Sequence, residues 1–243
     1  MKIAANVLRI REEIESAALS AGRAPEAVRL IAVSKTKPVS DMLEAYSAGQ
    51  KEFGENYVQE VLEKAPELPD DARIHFIGHL QTNKVGKIID KAYMIHSVDS
   101  LRLAQEIEKQ AAKRAIERVQ ILLEVNIAEE ESKFGFRAAE VTAAVREIAE
   151  CCPHICIRGL MTSAPITEEP EENAPYFAAM RKLLEAVNEM IAADADGIFR
   201  ETGTKPLTEL SMGMSGDYIP AVREGATMVR IGTAVFGARD YHR

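Results

Sequence analysis

LIAVSKTKP, residues 30–38, is an apolar run that ends in a lysine. The residues from Leu30 to Val33 are apolar and partly β-branched, which predicts a buried strand, and Pro38 prevents its continuation as a central strand. A core strand that finishes at Lys35 has two interpretations. Either the ammonium group reaches solvent past the rim of the sheet, or it stands in a pocket as a reactive amine.

The same pattern, an apolar strand followed by a helix-length segment, recurs along nearly the whole chain. The runs that predict strands are RLIAVSK, KEFGEN, RIHFIG, YMIHSV, VQILLEVN, ICIRGLM, TELSMGM and TMVRIGTAVFG. Strands that alternate with helices form parallel βαβ units with right-handed crossovers. We therefore predict an α/β fold, a single (β/α)8 TIM barrel domain over residues 1–243, with an extra amphipathic helix at the N-terminus.

A doubly wound open sheet is the structural alternative. It would usually carry a glycine-rich dinucleotide turn after the first strand, and VSKTKP has no glycine. The barrel is therefore favoured.

Composition and charge narrow the class of partner. The formal net charge of −8 argues against binding to nucleic acid or to an anionic membrane surface. No apolar run approaches the roughly 20 residues that cross a bilayer. The three cysteines have no metal-ligand spacing and the N-terminus is unlike a signal peptide, which together predict a cytoplasmic protein.

In a TIM barrel the functional face is formed by the strand ends and the loops that follow them. Residues at these ends should therefore converge: Lys35, Glu55–Asn56, Gly78–His79, Asn126, Met161–Thr162, Met214–Ser215 and Gly232–Thr233. His75 and His96 lie within strands instead, and we expect them to be core residues whose polar atoms are satisfied.

The last two strand ends predict an anion site. Gly232 permits close approach to the backbone, Thr233 adds a hydroxyl, and Ser215 with Gly216 lies near a helix N-terminus. Loops after the seventh and eighth strands are the frequent phosphate site in barrels. The same glycines are equally consistent with tight turns. Arg230 either points outward to helix carboxylates or inward to a ligand.

A lysine that is partly desolvated near an anion site can attack a carbonyl and form a Schiff base. Lys35 fits this role, whereas Lys37 lies beyond the apolar run and belongs to the rim. Lysine, arginine and a phosphate cradle predict pyridoxal 5′-phosphate (PLP), with its ring nitrogen facing Arg230. A Schiff-base aldolase for a phosphorylated sugar needs the same groups and stays open.

The motifs around these positions resemble one known family. They are AVSKTKP, FGENYVQE, HFIGHLQTNK, IHSVDS, VNIAEEESKFGF, IRGLMT, LSMGMSGD and MVRIGTAVFGARDY. In this order, from about Leu30 to Tyr241, they are similar to the YggS/PROSC family of pyridoxal-phosphate homeostasis proteins. The resemblance implies the barrel of the alanine racemase N-terminal type.

The resemblance also implies roles for individual residues. Lys35 would hold PLP as an aldimine, and Arg230 would lie near the pyridine nitrogen. The full set of cofactor-binding residues that we expect is Lys35, Asn56, His79, Met214, Ser215, Arg230, Gly232 and Thr233. His79 stands where many members of the family carry proline, which would alter the pocket rim without removing a ligand. Lys133 could contact phosphate or receive PLP, although a surface-loop role is favoured.

We expect a protein that holds PLP and buffers or delivers it to PLP-dependent apo-enzymes, as a monomer or weak dimer. We expect no second domain after the eighth strand to complete a racemase active site. An arginine at the pyridine nitrogen would also weaken the ring as an electron sink. A PLP-dependent amino-acid racemase or decarboxylase of the same fold is the alternative.

Overall fold

Eight short parallel strands close into a ring. In the computed structural model, which describes residues 2–238, the strands are β1 (Arg29–Val33), β2 (Glu52–Glu55), β3 (Arg73–Phe76), β4 (Met94–Val98), β5 (Val119–Glu124), β6 (Ile155–Met161), β7 (Glu209–Ser211) and β8 (Met228–Ile231). Each strand pairs with its neighbours in chain order, and β8 pairs back onto β1. The predicted barrel is thereby confirmed. Since all strands are parallel, their carboxyl ends share one mouth.

Helices follow the strands around the outside of the ring. They are α1 (Lys2–Ser20), α2 (Val39–Ser47), α3 (Val58–Lys64), α4 (Val85–Ile88), α5 (Leu101–Lys113), α6 (Val141–Cys151), α7 (Ala174–Ala193), α8 (Ile198–Thr202), α9 (Tyr218–Arg223) and α10 (Thr233–Phe236). Short 3-10 helices cover Pro25–Ala27, Ala65–Glu67, Thr82–Lys84, Ala138–Glu140 and Pro170–Asn173. Within residues 2–238, no helix has both the length and the apolarity to cross a bilayer.

One predicted strand is too long. The run TMVRIGTAVFG contains both β8 and α10, because the backbone leaves the sheet at Gly232 and enters a helix at Thr233. Apolar residues continue past Ile231 because Val235 and Phe236 are buried on the helix. A short apolar run cannot by itself distinguish these two structures.

The apolar core has two compartments. The larger lies between the ring and the helices, and α1 contributes Val7, Ile10 and Ile14 to it from one face. Their spacing of three and four residues explains why this segment forms an amphipathic helix. The smaller compartment lies inside the ring, and its buried members are Ile31, Met94, Leu122, Met161 and Met228. The rest of the interior is polar, which is where the candidate site begins.

Candidate functional site

Lys35 lies at the mouth of the ring, two residues after the end of β1. Lys35 and Thr36 form a turn, and the lysine is partly buried. Residues 34–37 are here called the lysine turn. Thr36 has a φ of 63°, in the left-handed region that β-branched residues rarely adopt. The turn is therefore held in a costly backbone conformation, and the contacts that hold it matter.

The end of β8 lies beside the lysine turn. A Cβ added to Gly232 would lie only 3.3 Å from the carbonyl oxygen of Val33, so a glycine at this position favours close approach of the two strand ends. The Nζ atom of Lys37 donates hydrogen bonds to the carbonyl oxygens of Phe236 and Ala238, at 3.2 and 3.0 Å. The lysine turn and the first turn of α10 therefore share one part of the mouth.

The predicted anion site also includes the loop after β7. Its turn, residues 214–217, is held by Asp217, whose Oδ1 accepts from the backbone N–H of Met214 at 2.6 Å. The Nδ2 of Asn173 donates to the other carboxylate oxygen at 2.8 Å. These contacts fix the backbone around Ser215 and Gly216. An aspartate just before a helix is the sequence signal for such a turn.

Arg230 points into the ring, so the structure selects the inward interpretation. Its guanidinium is buried and donates to Ser211 Oγ and to the carbonyl oxygen of Thr162, both at 2.8 Å. Burial lowers the pKa of Arg230 to about 10, against the opposing effect of Glu124 and Asp217. The side chain therefore remains a cation at neutral pH, below the mouth.

A chain of polar side chains continues from Arg230 across the interior. Ser211 Oγ lies 2.9 Å from Nδ1 of His96, and Nε2 of His96 lies 2.8 Å from Nδ1 of His75. Burial lowers the pKa of His75 to about 3 and that of His96 well below its usual value. Both imidazoles are neutral, so each ring has one donor and one acceptor nitrogen. Both are buried, as expected, but only His96 has a hydrogen-bond partner at each ring nitrogen, since Nε2 of His75 has none among residues 2–238.

Asn56 lies against the end of β3. A Cβ on Gly78 would lie 2.2 Å from the carbonyl oxygen of Asn56, so only glycine allows this approach. The side-chain Oδ1 of Asn56 is buried without a hydrogen-bond partner. A buried acceptor of this kind normally has a partner, and a ligand donor at the mouth would supply one.

Two of the residues expected near the pocket, His79 and Lys133, contact neighbouring loops. Nδ1 of His79 is 3.1 Å from Oδ2 of Asp99, and its ring stacks on that of Phe134 with centroids 3.8 Å apart. Lys133 donates to the carbonyl oxygen of Ser163 at 3.2 Å. Both residues thus fasten the loop after β5 to its neighbours. Met214, in the β7 loop, is partly exposed at the same face.

Two carboxyl groups near the mouth, one buried and one partly buried, are given no role by the motifs, although Glu55 is among the strand-end residues expected at this face. Glu55, at the end of β2, is fully buried and pairs with Lys64 of α3 at 2.8 Å. Glu124 ends β5, and burial together with Asp99 raises its pKa to about 7. The signal for Glu124 is the one that identifies Lys35: a charged residue finishing an apolar strand. Within the described part of the chain, no cluster of His, Cys, Asp and Glu could hold a metal ion.

Comparison with known proteins agrees with this architecture. Residues 3–240 match the family model described as the N-terminal domain of alanine racemase. The pyridoxal phosphate homeostasis protein of Pseudomonas aeruginosa is 42% identical over 240 residues, covering 98% of this chain and 96% of that one. Its counterpart in Escherichia coli is 39% identical over 245 residues, covering 99% and 98%.

Solved structures give the same picture. PipY of Synechococcus elongatus, in a structure with PLP bound, superposes with a TM-score of 0.76 at 35% identity, covering 97% of this chain and all of that one. Alanine racemase of Corynebacterium glutamicum shares only the fold, with a TM-score of 0.66 at 17% identity over 96% of this chain and 62% of that one.

High identity over nearly the full length, together with the closed barrel, assigns the chain: it belongs to the pyridoxal phosphate homeostasis protein family.

Proposed function

We propose that this protein binds PLP at the mouth of the barrel, holds it through Lys35, and buffers or delivers it. One observation carries the proposal. The lysine turn, the turn at residues 214–217 and α10 follow the carboxyl ends of three neighbouring parallel strands, β1, β7 and β8, and the cation of Arg230 lies within the ring on β8.

Each part of PLP has a suitable group in this arrangement. The phosphate would be bound by Ser215 and by the backbone N–H groups at Gly232 and Thr233, because the first N–H groups of a helix lack intrahelical partners. Asn56 has an unsatisfied buried oxygen for a ligand donor. His79 and Met214 would form the rim.

Arg230 has donors to spare for the ring nitrogen. Its guanidinium makes hydrogen bonds to Ser211, Thr162 and Ser163, and a guanidinium has about five N–H donors. A cationic donor leaves the pyridine nitrogen unprotonated, which weakens the ring as an electron sink. This electrostatic setting favours holding the cofactor over catalysing reactions with it.

PLP supplies an aldehyde. The Nζ of Lys35 would attack its carbonyl carbon and form a C=N bond with loss of water, and exchange with another amine would release the cofactor again. The relatives named as pyridoxal phosphate homeostasis proteins, and the PipY structure with PLP bound, support this assignment.

The first experiment is a near-visible absorption spectrum of the purified protein mixed with PLP. Wild type should develop the yellow band of a lysine imine, which borohydride removes, whereas Lys35→Ala should not. Peptide mapping after reduction should locate the label at Lys35. Lys37→Ala is the matched control from the same turn and should keep the band. A wild type that stays colourless would overturn the cofactor assignment, and a label on another lysine would overturn the role of Lys35.

A racemase or decarboxylase is the second candidate, and one observation favours it. The Glu124 carboxyl, with its pKa raised to about 7, interacts electrostatically with Arg230 and is able to take up or release a proton near neutral pH. Incubation of the PLP-loaded protein with amino acids in deuterated water separates the two functions. Exchange of the α-proton would establish catalysis, and its absence would favour the carrier.

A further inference from the structure

Lys64 has an unusual environment for a lysine. Its side chain is only 7% exposed, although it ends the short surface helix α3. Its Nζ donates to the carbonyl oxygen of Ser34 at 2.8 Å, to Oε1 of Glu55 at 2.8 Å and to Oε2 of Glu60 at 2.5 Å. An ammonium group has about three N–H donors, so these three acceptors satisfy it completely.

These contacts bracket Lys35 on both sides. The carbonyl of Ser34 belongs to the peptide group that precedes Lys35, and it is fixed by Lys64. The backbone N–H of Thr36 belongs to the peptide group that follows Lys35, and it donates to Oε2 of Glu60 at 2.8 Å. Because the orientations of these two peptide groups define φ and ψ of Lys35, the cluster restrains both torsions.

Several features of the cluster cost free energy in the folded state. Oε1 of Glu55 accepts from Lys64 and from Ser34 Oγ, at 2.8 and 2.6 Å, but its second oxygen is buried without a partner. Burial raises the pKa of Glu55, and the contacts with Lys64 and Ser34 oppose this effect. Thr36 adds a left-handed β-branched residue. Costly features of this kind collect at functional sites.

We propose that Lys64, Glu55 and Glu60 form a positioning cluster that fixes the backbone on either side of Lys35 and so presents its amine to the aldehyde of the ligand. The three residues act through the lysine turn and not on the ligand. That the cluster presents the amine to an aldehyde rests on the proposed function. That it fixes the backbone on either side of Lys35 does not depend on any ligand.

The test begins without PLP, on the uniformly labelled protein, by amide hydrogen exchange of Thr36 followed by NMR. Glu60→Ala removes the acceptor of this N–H, and exchange should become at least tenfold faster. Glu60→Gln retains a side-chain oxygen in the same place and should restore much of the protection. Glu63→Ala is the matched control, since Glu63 is exposed on the same helix and accepts a hydrogen bond from Gln59.

The second readout is the rate at which the imine band forms after PLP is added, with thermal unfolding recorded beside it. We expect Glu60→Ala and Lys64→Met to slow it at least tenfold, Glu60→Gln to be intermediate and Glu63→Ala to match wild type. A band that forms in Glu60→Ala as fast as in wild type overturns the inference, as does unchanged exchange of Thr36.

Failure of Lys64→Met to fold and absence of the imine band in wild type have separate meanings. If Lys64→Met does not fold, the comparison of Glu60→Ala with Glu60→Gln decides. Glu60 is partly exposed, and when it is removed the buried charges of Lys64 and Glu55 still pair with each other. If wild type forms no band at all, the proposed function fails, and the exchange of Thr36 alone decides whether the cluster fixes the turn.

Discussion

Gly78 illustrates how the absence of one side chain positions another. Its Cα approaches Asn56 so closely that an added Cβ would lie 2.2 Å from a carbonyl oxygen, and this oxygen belongs to backbone that cannot swing away. The ends of β2 and β3 would have to separate to accept any larger residue.

We therefore expect Gly78→Ala to destabilise the protein by about 1–3 kcal/mol, the range typical of overpacking. The measurement is chemical denaturation without PLP. Gly216→Ala is the matched control for stability, because an added Cβ there meets no atom within 4 Å. Equal midpoints for the two variants would contradict the steric explanation.

At this scale the sequence predicts some site residues and not others. Lys35 and Gly232 can be recognised because each follows an apolar run, and chain topology then brings their strand ends together. Lys64 cannot, because its partner Ser34 lies 30 residues away and nothing in EVLEK marks a lysine that turns inward. The roles of Asn56, Ser215 and the other predicted ligands stay predictions.

Arg11 is one of the side chains that join helix α1 to the barrel, beside Asn6, which donates to a backbone carbonyl oxygen of α10. The guanidinium of Arg11 donates to the carbonyl oxygens of Ala48 and Gly49, at 3.1 and 2.9 Å, and to Oε1 of Gln50 at 3.0 Å. It thereby binds the free carbonyls that follow α2, where a helix end also favours a positive charge.

Replacing Arg11 should reduce the stability of the protein more than replacing the exposed Arg9 on the same helix. Arg11→Ala should lower the free energy of unfolding by about 1.5–3 kcal/mol, the usual value of hydrogen bonds to a charged group. Arg9→Ala, on the same helix, removes only an exposed pair with Glu13 and should cost about 0.5 kcal/mol or less. Urea denaturation compares them, and a larger loss in Arg9→Ala would refute this assignment.

The elements themselves were predictable because helix and strand periods differ. The helix at the N-terminus and the positions of the eight strands agree with their sequence patterns, although the eighth predicted run extends past the end of β8. The sequence is ambiguous at the boundary between β8 and α10: Gly232 and Thr233 are placed at the strand end, in agreement with the structure, but the run GTAVF is apolar in either structure. Alternation alone also left an open sheet possible; hydrogen bonds between β1 and β8, remote in sequence, decide the matter.

At the scale of the whole molecule, His75 and Glu124 make stability depend on pH in opposite directions. The pKa of His75 is lowered from 6.5 to about 3, so its contribution to stability is lost as the pH falls through this interval. The pKa of Glu124 is raised from 4.5 to about 7, so the folded state binds its proton more tightly and this contribution is lost as the pH rises through that interval.

Glu124→Gln tests the second effect. An amide cannot ionise, so the stability of the variant relative to wild type should increase between about pH 5 and pH 8, by up to about 3 kcal/mol for a shift of this size. Thermal unfolding without PLP at both pH values gives the comparison. A difference independent of pH would show that Glu124 has an ordinary pKa.

Closure of the ring also sets an order of events during synthesis. Lys37 and Phe236, which join the lysine turn to α10, are 199 residues apart in the chain. At a translation rate of about 5–20 residues per second, the ribosome makes the last strand roughly 10–40 s after the first. Throughout that interval the nascent chain has the amine but lacks the loops proposed to hold phosphate. PLP should therefore bind only after synthesis of the chain is complete, and nascent chains should not sequester the cofactor.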